Sequence, residues 1–205
     1  MTKFGTKFIL LFMGILILVG CASKPDVSQS LSVNTLNELP SNWHVKGKIA
    51  VITPDERKSG YLSWHQIDSQ FDMLLSTVVG STIAKMQYDG REANIEVDDQ
   101  KWQDSSPDFL IQQVTGWAIP VSSLPVWLAG QYQPKDATSF YPNGLLETLT
   151  PSCVGCEVWQ ISYKKYADFK VKSQMQKTLP SLINLEHQAN GTRLIIRIDD
   201  WTFIQ

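Results

Sequence analysis

Apolar and polar residues alternate along most of this chain, the period expected of β-strands with one buried face. Val45, Gly47, Ile49 and Val51 alternate with His44, Lys46, Lys48 and Ala50, and Thr53-Pro54-Asp55 then marks a turn. Residues 61–67 form the next strand, with Leu62 and Trp64 on one face. Residues 71–88 read as two strands joined at their tip: Phe71, Met73 and Leu75 alternate with Asp72, Leu74 and Ser76, and Ala84, Met86 and Tyr88 alternate with Ile83, Lys85 and Gln87. After the turn signal Asp89-Gly90, residues 93–97 make a further strand. Later strands are expected at 144–149, 157–163, 182–187, 192–198 and 201–204, with Asn190-Gly191 a strong hairpin signal. Short strands in succession predict an antiparallel meander.

The period breaks over residues 106–130. Ser106-Pro107-Asp108 is a helix start, with serine as cap, proline at the first helical position and an acid at the positive end of the dipole. Phe109, Leu110, Val114 and Trp117 then make an apolar stripe. A second short helix is expected from Ser122 or Ser123 to Ala129, with Leu124, Trp127 and Leu128 on one side and Gly130 as its stop. Residues 133–143, rich in Pro, Asp and Tyr, read as a loop. Ten or eleven strands with two helices between the halves predict a curved or barrel-like sheet with a helical lid. Strands such as Leu194-Ile195-Ile196 are apolar on both faces; the surplus either lines an apolar cavity between sheet and helices or packs under the lid.

The tip at residues 77–81 is unusual. Hairpin turns favour Asn, Asp, Gly and Pro, so Val78 and Val79 beside Gly80 need a reason. Either the tip folds back over the core, or it protrudes as an apolar finger that touches lipid or a lipid-bearing partner.

The first residues change the picture from a soluble domain to a tethered one. Lys3 and Lys7 precede an unbroken apolar run, residues 8–19, too short to span a bilayer stably, and Leu18-Val19-Gly20-Cys21 looks like a bacterial lipobox. Residues 1–20 are then a signal peptide, and Cys21 becomes the acylated N-terminus. Two or three acyl chains, at about 0.8 kcal/mol per buried CH₂, hold a protein on a membrane. Ala22 follows the cysteine, where lipoproteins kept in the inner membrane carry Asp, which points to the outer membrane and to its lipid as the anchor's partner. Residues 21–42 read as a tether with one weak helix between Asp26 and Leu39, and residues 43–205 as a single domain. Removal of the signal takes two of the 18 basic residues and leaves 16 against 20 acidic ones, a charge of −4. No basic patch suggests nucleic acid.

Candidate chemistry is sparse. His44, His65 and His187 are widely separated in strand contexts, without metal-site spacing or a nucleophile motif, so neither a metal nor a cofactor is expected. Asp98-Asp99 and Asp199-Asp200 read as solvated acids at strand ends beside turns. Cys153 and Cys156 form a CxxC motif between β segments. A disulfide clipping a turn in an oxidising compartment is preferred, with free thiols or a thiol oxidoreductase as alternatives. The seven tryptophans suit core packing.

Several stretches, in order, resemble the LolB family of outer-membrane lipoprotein receptors. They are Gly47-Lys48-Ile49-Ala50, Leu62-Ser63-Trp64-His65-Gln66, Val79-Gly80-Ser81-Thr82, Thr115-Gly116-Trp117-Ala118-Ile119-Pro120 leading to Leu124, Trp127 and Gly130, and Asp199-Asp200-Trp201. The resemblance implies an incomplete antiparallel β-barrel of about eleven strands with a helical lid over an apolar cavity. It further implies a monomeric, non-enzymatic acceptor that takes acylated lipoproteins from the periplasmic carrier LolA and inserts them into the outer membrane. A lipid-binding envelope lipoprotein with a different apolar ligand is the alternative. Leu62, Trp64, Met73, Leu75, Met86, Trp117, Trp127 and Ile196 are the candidates for lining the acyl-chain cavity. In that family the projecting loop carries a leucine needed for membrane insertion; Val79 aligns with it here, with Val78 and Gly80 on either side. The Cys153/Cys156 pair departs from the family pattern.

Overall fold

Strand pairing follows the two-residue period. The computed structural model describes residues 41–172 and 175–204. The signal peptide, Cys21, the tether to residue 40 and its weak helix lie outside them. The strands are β1 Asn42–Ile52, β2 Arg57–Ile67, β3 Gln70–Ser76, β4 Thr82–Tyr88, β5 Ala93–Val97, β6 Gln100–Asp104, β7 Ala137–Phe140, β8 Leu146–Thr150, β9 Trp159–Lys172, β10 Met175–His187 and β11 Arg193–Phe203. Two helices, α1 Pro107–Thr115 and α2 Leu124–Leu128, separate β6 from β7.

All eleven strands form one open antiparallel sheet in the order β6-β5-β4-β3-β2-β1-β11-β10-β9-β8-β7. Two meanders are thus joined where the first strand pairs with the last, and the short strands β6 and β7 are the edges. One face is apolar throughout: Val45, Ile49, Val51, Leu62, Trp64, Met73, Leu75, Met86, Ile183, Leu194 and Ile196 are all buried. At one end of this inner face an aromatic cluster fills the space, with Trp43 5.0 Å from Trp201 and Trp64 4.8 Å from Phe71 between ring centroids. Gln66 is buried there because it accepts a bond from the Trp64 indole at 2.9 Å and donates to the Asp68 carbonyl at 2.7 Å.

The β1–β11 seam carries a bulge. Lys46 pairs with Asp200 and Gly47 with Ile198, so Asp199 is the extra residue. Asp199-Asp200 therefore lie inside one continuous strand and not at strand ends. Arg197 neutralises Asp199 at 2.8 Å, and Asp200 accepts from the Thr202 hydroxyl at 3.0 Å. Asp98 and Asp99 do form a turn, both with positive φ.

The helical segment covers the inner face. Ser106 caps α1 by accepting from the Phe109 N–H at 3.2 Å, and Gly116, at φ 76°, ends it. The expected stripe is rotated: α1 buries Pro107, Leu110 and Ile111, whereas Phe109 is 55% exposed. Asp108 holds this orientation by accepting from the backbone and hydroxyl of Ser122. α1 packs on β5 and β6. The buried Tyr163 hydroxyl of β9 donates to the Trp127 carbonyl of α2 at 3.0 Å, so the segment spans from one half of the sheet to the other.

The bulge leaves no room for a side chain at position 47, where a Cβ would sit 2.1 Å from the Arg197 carbonyl oxygen. Gly47→Ala is expected to lower the unfolding free energy by about 1–3 kcal/mol, the usual range for an overpacked site. Urea denaturation measures it, and an unchanged midpoint would contradict the strict fit of this seam.

Candidate functional site: an exposed finger beside an apolar cavity

The β3–β4 connection is a short, firmly closed loop. The Thr77 N–H donates to the Ser81 carbonyl at 2.8 Å, the Gly80 N–H to the Thr77 carbonyl at 3.0 Å, and the Ser81 N–H to the Thr77 hydroxyl at 3.1 Å. Gly80 takes the left-handed conformation, φ 87°. Val78 and Val79 thereby avoid positive φ, which branched side chains resist, and a steric objection to valines in a hairpin turn disappears. Their solvation remains costly: they are 84% and 87% exposed, and burying one valine is worth about 1.5–3 kcal/mol. Of the two arrangements open to the sequence, the structure has the protruding one.

At the root of this finger, the inner face holds a cavity of about 330 Å³. Ile49, Val51, Leu75 and Ile83 supply its apolar wall, Trp117 of the lid forms one side, and Lys58, Ser59 and Gly60 stand at its margin, where it opens to solvent. Two local features hollow it out. The β3–β4 register slips between Leu75 and Ser76, leaving Ile83 as the extra residue and turning it inward. Gly60 lacks the Cβ that would meet the Ser76 carbonyl oxygen at 2.7 Å and Ile83 at 3.1 Å.

Trp117 is held by polar contacts at the rim. Its indole N–H donates to Glu56 at 3.0 Å, Glu56 pairs with Lys58 at 3.0 Å, and the Lys58 ammonium lies 5.5 Å from the centroid of the Trp117 ring. Lys58, and after it the Trp117 indole, holds the Glu56 carboxyl below the ordinary carboxylate range. These three residues fasten the lid to the β1–β2 turn.

Among the cavity candidates, Leu75 and Trp117 line this space. Leu62, Trp64, Met73, Met86 and Ile196 point to the same face but are packed in the core, and Trp127 is buried on α2. Ile49 and Val51 shared the alternation that singled out their neighbours; Gly60, just ahead of the strand expected at residues 61–67, becomes a signal for a close approach only because β2 begins at Arg57. Lys58 and the bulged Ile83 carried no such signal.

Cys153 and Cys156 are joined by a disulfide, Cα to Cα 5.3 Å, around a turn that leads into β9 rather than a helix. Val154 stands fully exposed at its tip. The histidines are engaged locally: His44 Nε2 lies 2.8 Å from the Ser63 hydroxyl, the His65 ring is edge-on to His44, and His187 Nδ1 accepts from the Asn190 turn. No cluster of His, Cys, Asp or Glu suited to a metal ion occurs among the described residues. Among the same residues no helix is long and apolar enough to cross a membrane.

Comparison with known proteins places the chain in a family. The family model described as "Outer membrane lipoprotein LolB" matches residues 41–201. Proteins named outer-membrane lipoprotein LolB from Pseudoalteromonas translucida, Vibrio cholerae and Shewanella loihica are 31%, 30% and 28% identical to the chain. The alignments cover 96%, 93% and 92% of this chain and 95%, 93% and 84% of those proteins, respectively. Among solved structures, a DUF1329 family protein from Desulfovibrio piger superposes with a TM-score of 0.50 at 6% identity, over 81% of this chain and 87% of that one. A LolA superfamily protein from Nitrosomonas europaea gives a TM-score of 0.49 at 12% identity, over 82% and 88%. With most of the described sheet, the finger and the lid inside the matched region, the chain belongs to the LolB family of outer-membrane lipoproteins.

Proposed function

We propose that this protein accepts acylated lipoproteins from the periplasmic carrier LolA, shelters their acyl chains on its apolar inner face and passes them along the finger into the outer membrane. The observation that carries the proposal is the contiguity of the two features: Leu75 and Ile83, at the root of the finger, are also walls of the cavity. Acylation of Cys21 would hold the domain at the membrane that receives the cargo, and the domain would act as a monomer. The chains of a triacylated cysteine cannot cross water unaided at about 0.8 kcal/mol per CH₂. Hand-over then needs only that each station bind more favourably than the last.

The cavity has to enlarge to do this. About 330 Å³ lies at the low end of the range for drug-sized ligands, roughly 300–1,000 Å³, and three acyl chains need more. Trp117 is the movable wall, and the Glu56–Lys58–Trp117 contacts set its resting position.

Two outcomes are expected. Val79→Glu leaves the unfolding curve unchanged and lowers delivery of lipoproteins to the outer membrane about tenfold, because an acidic side chain resists entry into the apolar part of a bilayer, a cost that reaches about 2.5–3.5 kcal/mol at its centre and is smaller nearer the headgroups. Fractionation of cells that depend on the variant measures this; normal delivery would contradict a membrane role for the finger. Glu56→Ala frees Trp117 and speeds uptake of a fluorescent acyl probe several-fold. Because the Glu56 carboxyl is held low in the folded chain, the fastening is present above its ordinary range and lost as pH falls through the lowered value. Acid should therefore accelerate uptake by the unmodified protein and leave Glu56→Ala unaffected; equal acid responses would remove Glu56 from the fastening.

A further inference from the structure

We propose that the outer face of the sheet, beside the finger, carries a binding site for the phosphate of a membrane phospholipid, with Lys48 as its principal cation. The proposal rests on the membrane-contacting role given above to the finger. On the side of β1, β2 and β11 opposite the acyl cavity lies a groove of about 330 Å³, walled by Lys48, Ala50, Tyr61, Ile195, Arg197 and Val78. Val78 belongs to the finger, so whatever fills this groove lies alongside the element that enters the membrane.

Register places the charged groups in one row. Lys48 is directly opposite Arg197 on β11 and directly opposite Tyr61 on β2. Like charges directly opposed across a strand pair repel. Arg197 is relieved by Asp199, which accepts two of its hydrogen bonds at 2.8 and 3.2 Å. Lys48 has a weaker partner, the Tyr61 ring, with the ammonium 5.0 Å from its centroid. The row thus presents a net positive charge in a groove whose remaining walls, Ser59 and the Tyr61 hydroxyl aside, are apolar. An occupant with an anionic head and an apolar body satisfies both parts. A phospholipid drawn from the bilayer has that character, and the half-exposed Tyr61 has the amphipathic ring that settles at a membrane interface. In this arrangement the acyl cavity and the headgroup groove lie on opposite faces of the same strands, with Gly60 and Ile49 bordering both. The finger would enter beside a bound headgroup, and the phosphate would fix its depth.

The test uses the full-length protein reconstituted on phosphatidylcholine vesicles with and without phosphatidylglycerol. An environment-sensitive fluorophore on Ser81→Cys reports insertion of the tip while keeping both valines. With phosphatidylglycerol present, Lys48→Gln should lower the ratio of inserted to uninserted tip about fivefold, the share one cation contributes near an anionic membrane surface. Lys48→Arg should restore the ratio, and Lys85→Gln, an exposed cation on the finger's own strand β4, should leave it unchanged. A tip that inserts equally well in Lys48→Gln would overturn the groove while the finger stands. An equal fall in Lys85→Gln would also overturn it, by showing general attraction to a basic surface. A tip that inserts in none of the proteins would overturn the finger and the groove with it.

Discussion

A single antiparallel sheet with one apolar face has to hide that face from water, and the rest of this structure answers to that requirement. Eleven strands present more inner surface than the side chains themselves can fill. At one end Trp43, Trp64, Phe71 and Trp201 occupy the space; across the middle, residues 107–130 lie over it. At the other end Trp117 stands beside a wall hollowed by Gly60 and by the bulge at Ile83. What the fold leaves unfilled there is the space the proposed function uses. An apolar space that the protein can close but not fill suits a guest that must itself be kept from water.

In the proposed function no group in this site needs to be reactive. Transfer of acyl chains breaks no covalent bond, so direction comes from differences in affinity between stations. In the proposed function the finger would contribute to that difference, because two valines held in water by a loop that three hydrogen bonds keep closed would be better solvated in a membrane. The Glu56–Lys58–Trp117 contacts would balance this at the cavity rim, since the Glu56–Lys58 pair is exposed and such pairs are weak enough to be exchanged.

Much of the fold was legible because strands with one buried face advertise their period. β1, β3, β4, β5, the capped start of α1 and the Asn190-Gly191 turn sit where alternation and turn chemistry put them, whereas β2 begins at Arg57, ahead of the strand expected from residue 61. β6 was missed because Gln100–Asp104 is an edge strand with one apolar residue, Trp102. β7 was read as loop for the same reason, being four residues at the opposite edge. β9 and β10 run well past the apolar runs that marked them, through stretches in which Tyr166, Phe169 and Leu179 are scattered among charged and polar residues without a clean two-residue period. β11 was divided in two because a bulge at Asp199 looks like a turn when only residue types are read. The cavity shows the limit most clearly. Alternation put Leu62, Met73, Met86 and Ile196 on the correct face, yet which layer of that face is empty depends on a register slip and a missing Cβ, neither of which has a period. The finger was legible as an anomaly, since valines at a hairpin tip contradict ordinary turn chemistry.

The central claim is that acyl chains of a lipoprotein occupy the space beneath Trp117. Placing a photoreactive side chain at Ile83, inside the cavity, and in a second protein at Leu74, on the outer face of β3, tests it directly once cargo has been transferred from loaded LolA. The account predicts cross-links between position 83 and the acylated N-terminal peptide of the cargo, with little labelling from position 74. Cargo held by the protein with no cross-link at 83, or with equal labelling from both faces, would contradict it.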